Sequence, residues 1–267
     1  MANFIFWSDL HCEFRPFDLP AISEFPERPD AVLLAGDTDL HPGHLEMARR
    51  IVEAYDCPVV AVNGNHEFYK NNLDEVIEQE AEIAAEMRRL GMPVHILRGD
   101  AVEIAGARIV GATLWTDFDL NPAWGWMSRK IAQRNMSDYH QILKGRMPHR
   151  RPLEPLDTIA MHIEEKGKIL DLLRRPFDGP TVVMTHHMPA SELIAEQYLD
   201  HPLNPAFASN LIREISDLDF SAWIFGHSHD NRELSLPGPH GTQCFLSNPR
   251  GYPDEPTRFN PLRMLHL

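Results

Sequence analysis

The segment Val62-Asn63-Gly64-Asn65-His66-Glu67 places an amide, an imidazole and a carboxylate side by side, directly after an apolar run. That run, residues 58–62 (Pro-Val-Val-Ala-Val), is short and β-branched and ends near a glycine, which predicts a buried strand followed by a loop. Open α/β sheets bind ligands at the carboxyl ends of their strands. We interpret the segment as part of a binding site, with a polar turn that caps the following helix as the alternative.

The composition predicts one globular domain, residues 1–267. The chain has 267 residues, of which 43% are hydrophobic and 24% charged, so it is long enough to bury a full core. Its formal net charge of -14 argues against a surface built to bind long nucleic acid.

Cysteine usage and the N-terminal sequence indicate where the protein works. Cys12, Cys57 and Cys244 are too few and too scattered for a disulfide framework, and we interpret them as free thiols in a reducing compartment. The N-terminus has no basic leader, and no apolar window reaches the length of a membrane span. The sequence therefore predicts a cytoplasmic protein with no membrane partner.

Polar side chains also follow four other apolar runs, residues 4–7, 31–35, 181–184 and 222–225. Including the run before Asn65, the side chains at these five strand ends are Asp9, His11, Asp37, Asn65, His186, His187, His227 and His229. Alternate side chains of an extended chain share a face, so each of the two spaced pairs, Asp9 with His11 and His227 with His229, is expected to point one way. Carboxylate and imidazole ligands suit a divalent metal ion, and a single Asp-His pair on a surface is the alternative.

Helices and short strands are expected to connect these runs. Residues 44–55 have helical periodicity and join two of the strands in a βαβ unit, and residues 73–90 form a second helix that Asn71 or Asn72 caps. The remaining predicted elements are strands at 94–97, 101–104, 108–114, 242–246 and 262–267, and helices at 158–173 and 205–215.

Residues 119–157 interrupt the α/β pattern with tryptophans and a concentration of basic side chains. We predict that this insertion forms a cap over the site. Its candidate substrate-binding residues are Arg146, Arg150 and Arg151, which could pair with a phosphate. The alternative is a solvated surface excursion.

The ordered motifs Asp9-x-His11, Gly36-Asp37, Gly64-Asn65-His66-Glu67, His186-His187 and Gly226-His227-Ser228-His229 resemble the calcineurin-like metallophosphoesterase superfamily, with the compact bacterial members most similar. The resemblance extends from the first strand to the loop after His229. It implies an α/β fold of two facing mixed β-sheets flanked by helices, a four-layer α/β/β/α sandwich.

The resemblance also implies a role for each motif residue. Asp9, His11 and His229 would bind one metal ion, Asn65, His186 and His227 a second, and Asp37 would bridge both. His66 would act as general acid or transition-state stabiliser, while Glu67 would orient His66 or cap the next turn. The implied cofactors are two divalent or trivalent transition-metal ions, with manganese, iron and zinc as alternatives.

The function implied is a dinuclear metal-dependent phosphoesterase, working by in-line attack of a metal-bridging hydroxide on a phosphodiester or phosphomonoester. The partner would be a small phosphorylated substrate, with a nucleotide as one candidate. Thr38 and Asn63 stand where the protein Ser/Thr phosphatases of the superfamily carry arginines, which weakens a phosphoprotein substrate. The alternatives are a catalytically silent binding or scaffold protein of the same fold and a metal hydrolase acting on C–N or C–O bonds.

Overall fold

The protein, described by a computed structural model over all residues 1–267, is built from thirteen strands and seven α-helices. The strands are β1 (Asn3–Trp7), β2 (Ala31–Ala35), β3 (Val59–Val62), β4 (Val94–Ile96), β5 (Asp100–Ile104), β6 (Ala107–Ala112), β7 (Leu143–Lys144), β8 (Arg151–Pro152), β9 (Thr181–Thr185), β10 (Ala222–Phe225), β11 (Glu233–Gly238), β12 (Gly241–Ser247) and β13 (Met264–His266). The α-helices are α1 (Gly43–Tyr55), α2 (Leu73–Arg89), α3 (Gly125–Asn135), α4 (Asp138–Gln141), α5 (Pro155–Leu173), α6 (Asn204–Phe207) and α7 (Ile212–Ile215). Four short 3-10 helices cover Ile22–Glu24, His66–Phe68, Ser191–Leu193 and Glu196–Tyr198.

The first sheet has the strand order β13-β1-β2-β3-β4. Strands β1 to β4 run parallel to one another, and only β13 is antiparallel. Trp7 lies opposite Leu34, and Ala35 lies opposite Val62. The polar segments that follow β1, β2 and β3 therefore leave the sheet at one edge.

The second sheet has the order β11-β12-β10-β9-β6-β5. Its four central strands are parallel, and the edge strands β5 and β11 are antiparallel to their neighbours. Because β6 is parallel to β9, the insertion that follows β6 starts from the edge where His186 and His187 follow β9.

The two sheets face each other across an apolar core. Phe4, Phe6 and Leu33 of the first sheet pack in one cluster with Val182 and Ile224 of the second. The alternate residues of the same strands point outward toward the helices, as the period of two in a strand requires. The prediction of two facing mixed sheets flanked by helices is confirmed.

Helices cover the outer faces of both sheets. Met47 and Ile51 of α1 and Met87 of α2 pack on the first sheet, while Ile169 and Leu173 of α5 pack on the second. No helix combines the length and the apolar character needed to cross a membrane.

The predicted cap of α2 is confirmed. The Asn72 side chain accepts hydrogen bonds from the backbone N–H groups of Asp74 and Glu75, at 3.0 and 3.2 Å. The helix ends before Gly91, whose φ of +82° is the left-handed conformation that glycine adopts at low cost.

The predicted helix 205–215 is wrong as a single element. It is divided into α6 and α7 because the chain between them pairs with the segment after β9. Ser209 donates its N–H to the Met188 carbonyl, and Leu211 donates to that of Pro189. These N–H groups are therefore not available for helical hydrogen bonds.

Candidate metal centre

The backbone turns sharply at the strand ends that carry the predicted ligands. Five of them have positive φ: Asp9 (52°), His11 (46°), Asp37 (53°), His227 (69°) and His229 (50°). We expected extended backbone to place Asp9 and His11 on one face, and likewise His227 and His229. This expectation is wrong, because all four residues have left-handed rather than extended backbone. Left-handed backbone at a non-glycine residue costs about 1 kcal/mol or more, and such strain clusters at functional sites.

Asp37 occupies the centre of the site. Its Oδ2 atom lies 3.8 Å from His11 Nε2 on one side and 3.4 Å from His186 Nε2 on the other. Its Oδ1 atom accepts a hydrogen bond from the backbone N–H of His66 at 2.9 Å. The carboxylate is buried and lies between two groups of potential metal ligands, so one residue can serve both.

The first group consists of Asp9, His11, Asp37 and His229. The Nε2 atoms of His11 and His229 lie 2.9 Å apart, and His229 Nε2 is 3.4 Å from Asp9 Oδ1. The Nδ1 atoms face carboxylates, that of Glu13 at 3.1 Å and that of Glu255 at 2.6 Å. A carboxylate at Nδ1 holds the proton there and leaves Nε2 with a lone pair.

The second group consists of Asp37, His186 and His227, together with the Asn65 amide. His186 donates its Nδ1–H to the Ala35 carbonyl at 2.9 Å, so Nε2 is the ring nitrogen that faces the other donor atoms and can bind either a proton or a metal ion. That Nε2 lies 3.1 Å from Asn65 Oδ1 and 3.2 Å from His227 Nδ1. Asn65 donates its NH2 to Asp138 at 2.9 Å, which turns its oxygen toward the imidazoles.

The donor atoms of both groups fit metal ions. Each group brings several nitrogen and oxygen atoms to within metal-binding distance of one another, and Asp9 Oδ2 is buried with no hydrogen-bond partner. A cation satisfies such a set, and imidazole, carboxylate and amide oxygen are ligands of the first-row transition metals. Each group could therefore hold one metal ion, with Asp37 common to the two.

The charge distribution of the site also favours cations. Burial lowers the pKa of His186, but Asp37 outweighs burial and raises it to about 9. Burial opposes protonation of His229 as well, yet Asp9 and Glu255 raise its pKa to about 10. The site therefore stabilises positive charge, for which a metal ion and protons compete.

His66 stands beside the two ligand groups. Its Nδ1 is 2.7 Å from Glu13 Oε1, and its Nε2 is 3.2 Å from the Tyr252 hydroxyl and 4.0 Å from Asp37 Oδ2. Burial disfavours its protonation, but Asp37 and Glu13 raise the pKa of His66 above its ordinary value. The Glu13 carboxylate thus contacts the rings of both His11 and His66.

Glu67 fixes the loops that carry the ligands. Its carboxylate accepts hydrogen bonds from the backbone N–H groups of Gly64 and Thr38, both at 2.7 Å, and of Asp37 at 3.1 Å. Burial and the nearby Asp37 raise the pKa of Glu67 to about 7. Glu67 thus ties the segment after β2 to the segment after β3.

His187 lies behind the ligands. It is buried, its Nδ1 is 3.3 Å from the Thr113 carbonyl, and its ring lies 5.1 Å from that of Trp115. Burial lowers the pKa of His187 to about 3. The ring is therefore neutral and packs the wall of the site.

A second buried polar network supports the loop before Gly64. Asn63 donates to both oxygens of Glu80, at 2.9 and 3.0 Å, and His44 Nε2 lies 2.8 Å from the same carboxylate. Arg98 forms an ion pair with Glu80. Asn63 therefore points into this network, and none of these four residues lines the cavity described next.

A cavity of about 360 Å³ opens over the two ligand groups. Its walls come from the candidate ligand loops, from the insertion, from the segment that follows β9 through α6, and from the loop between β12 and β13. The lining residues are Asp37, Asn65, His66, Tyr69, Met136, Ser137, Asp138, Met188, Ile194, Ala195, Tyr198, His201, Leu203, Asn204, Phe207, His227, Ser228, His229, Tyr252 and Glu255. Residues 136–138 are the insertion's contribution.

The structure does not bring the three arginines of the insertion into this cavity. Arg146 pairs with Glu78 and Arg150 with Glu75 of α2, while Arg151 pairs with Asp157 at 2.6 and 2.8 Å. None of them lines the cavity, because neighbouring carboxylates already hold their guanidinium groups. The insertion's Trp124 and Trp126 are likewise absent from its walls and are 55% and 54% exposed.

Several residues of the site were not predicted from the sequence. They are Glu13, Tyr69, Asp138, Tyr252 and Glu255. All five lie in loops or short helices, where no periodicity indicates which way a side chain points. The one available signal was the position of Glu13 two residues after His11.

The fold and the site together define a class. Two facing mixed sheets, with carboxylate, imidazole and amide groups that could hold metal ions gathered at the carboxyl ends of parallel strands, characterise an α/β protein with a candidate metal centre.

The chain belongs to the calcineurin-like phosphoesterase family, whose model matches residues 2–231. A comparison with curated protein sequences gives no match. Among solved structures, the chain is similar to the phosphopantetheinyl hydrolase of Mycobacterium tuberculosis, with a TM-score of 0.67 and 19% sequence identity. That alignment covers 94% of this chain and 90% of the other, and at this identity it supports the shared fold.

Proposed function

We propose that the protein is a dinuclear metal-dependent phosphoesterase that hydrolyses a small phosphodiester or phosphomonoester. The observation that carries the proposal is the position of the buried Asp37 between two groups of potential metal ligands. Family membership supports phosphoester hydrolysis. The name of the similar structure, a phosphopantetheinyl hydrolase, supports a small phosphorylated substrate.

In this proposal Asp9, His11 and His229 bind one metal ion, and Asn65, His186 and His227 bind the other, with Asp37 shared. Two such ions, manganese, iron or zinc, would clamp the phosphate oxygens and lower the pKa of a bound water. Glu13 and Glu255 hold the protons of His11 and His229 at Nδ1, so that both Nε2 atoms stay available as ligands.

His66 is the proposed general acid. Its ring lines the cavity beside Asp37, and both of its nitrogens have partners that hold its orientation. The Glu13 carboxylate contacts Nδ1 and stabilises a positive charge on the ring. The other nitrogen, Nε2, points toward Tyr252, which also lines the cavity. His66 is thus placed to donate a proton to the leaving oxygen of a phosphoester held at the centre.

The insertion is proposed as one wall of the substrate site. Residues 136–138 line the cavity, and the insertion follows β6, which runs parallel to β9. We propose that this insertion acts as a cap through its residues 136–138, in place of its arginines.

Paired substrates test the proposed function. The purified protein would be stripped with a chelator, reloaded with manganese or zinc, and assayed with bis(p-nitrophenyl) phosphate and p-nitrophenyl phosphate. We expect metal-dependent hydrolysis of at least one ester, and its loss in Asp37→Asn. A protein that holds two metal ions per chain and hydrolyses neither ester would contradict the proposal and favour a binding role.

A further inference from the structure

We infer that the cavity binds an uncharged, partly apolar organic arm of the substrate, attached to the phosphate that the centre holds. The inference rests on the proposed function and names its substrate class. A phosphodiester with one neutral arm fits this description, whereas an ester whose arm carries a second phosphate or a carboxylate does not.

The part of the cavity wall formed by the insertion and by the segment after β9 is largely apolar. Met136 of the insertion and Met188, Ile194, Leu203 and Phe207 of the segment after β9 line it. The Phe207 ring lies 4.5 Å from the His227 ring, between ring centres, so this apolar surface begins directly at the ligand groups. An arm attached to a phosphate at the centre therefore meets apolar side chains first.

The charged groups of the cavity disfavour a second anion. None of its lining residues is lysine or arginine, and its carboxylates are Asp37, Asp138 and Glu255. Asp138 is buried, and its Oδ1 atom accepts hydrogen bonds from Asn65 and Tyr69 at 2.9 and 2.6 Å, so this carboxyl group gives an anion no cationic partner. An anionic arm that extends beyond His66 and the metal ions would lose its hydration and meet no lysine or arginine in the lining.

Neutral polar groups complete the lining. Ser137, Tyr198 and Asn204 offer hydroxyl and amide groups. Such groups bind hydroxyls and amides of an arm without requiring charge. The lining thus suits an uncharged arm with both apolar and hydrogen-bonding parts.

Two matched diesters test the inference on the wild-type holoenzyme. Hexyl p-nitrophenyl phosphate and 5-carboxypentyl p-nitrophenyl phosphate release the same phenol and differ in one terminal charge. We expect kcat/KM to be about tenfold or more higher for the hexyl ester, because apolar burial favours one arm and desolvation of the carboxylate penalises the other. Equal values for the two diesters would overturn the inference and leave the proposed function standing.

A charge-reversal variant locates the arm. Leu203→Arg places a cation in the cavity wall and should raise the relative kcat/KM of the carboxypentyl ester by about tenfold. Leu199→Arg is the matched control, since Leu199 is exposed and lies outside the lining. The same change of preference in both variants would show that the arm does not contact Leu203.

A binding measurement tests the proposed arm site independently of catalysis. Calorimetry with hexylphosphonate and 5-carboxypentylphosphonate, neither of which can be hydrolysed, should give tighter binding of the hexyl compound to the metal-loaded protein. If neither the diesters nor p-nitrophenyl phosphate is turned over and this binding preference remains, the proposed function fails while the arm site stands. Equal affinities would refute the arm site.

Discussion

His11 and His229 bring their Nε2 atoms to 2.9 Å from each other, while the opposite nitrogen of each ring faces a carboxylate. If the protons sit beside Glu13 and Glu255, the two Nε2 lone pairs face each other and repel. A cation bound by both nitrogens removes the repulsion. The two histidines therefore connect the first group of candidate ligands to Glu13 and Glu255, which are not part of the sequence motifs.

Replacing His66 should separate catalysis from metal binding. We expect His66→Ala to keep the metal content of the wild type and to lower kcat by about a hundredfold or more, because it removes the proposed proton donor. Metal analysis and steady-state kinetics on the same preparation measure both. His140→Ala, an exposed histidine of the insertion, is the matched control and should leave both quantities unchanged. Parallel loss of metal and activity in His66→Ala would instead identify His66 as a ligand.

Glu80 should be a large contributor to stability. Its carboxylate is fully buried and paired with Arg98, His44 and Asn63. Glu80→Ala removes the partner of these groups, and we expect the free energy of unfolding to fall by about 3 kcal/mol or more.

Urea denaturation measures this loss. The control is Arg146→Ala, which breaks an ion pair between exposed side chains and should cost about 1 kcal/mol or less. If the free energy of unfolding falls by a similar amount in the two variants, the buried Glu80 network stabilises the protein no more than an exposed ion pair does.

Glu165 should make stability depend on pH. It accepts a hydrogen bond from the Leu114 N–H at 2.7 Å, and burial raises its pKa to about 7 although that N–H and Arg98 favour the charged form. Because this folded-state pKa lies above the unfolded value, the group's contribution to stability is present at acidic pH and is lost as the pH rises through about 7.

Glu165→Gln keeps the acceptor and removes the titration. We expect the variant to melt about 2 °C or more above the wild type at pH 8, and to lose this advantage at pH 5. Scanning calorimetry at the two pH values checks the difference. An advantage of equal size at both would contradict the proposed titration.

Sheet-forming segments could be predicted from the sequence because burial imposes patterns on them. Residues 31–35 and 59–62 are β-branched or apolar throughout, and both match strands of the parallel sheet. β11 was missed because Glu233–Gly238 is a half-exposed edge strand that contains Pro237, so its composition resembles a loop.

The positions of the candidate ligands were predictable for a different reason. Residues that follow neighbouring parallel strands lie at the same edge of the sheet. Asp37 and Asn65 could therefore be expected at that edge from their positions in the sequence. The backbone conformations at that edge could not be predicted, since Asp9 and His229 adopt left-handed turns that only the assembled site stabilises.

The cavity walls were the least predictable part. Arg146 and Arg150 have the charge that suits phosphate, but α2 places carboxylates beside them. Met136 and Leu203 carry no chemical signature, and only the packing of the insertion and the segment after β9 brings them over the site. Such contacts depend on loop conformation, which residue periodicity does not encode.

Metal stoichiometry is the sharpest test of the proposed centre, because both groups of candidate ligands share Asp37. Elemental analysis after reconstitution with manganese or zinc and removal of free metal should give two ions per chain for the wild type and less than one for Asp37→Ala. The exposed Asp200→Ala serves as the control and should retain two. Fewer than one ion per chain in the wild type, or full occupancy in Asp37→Ala, would contradict the shared centre.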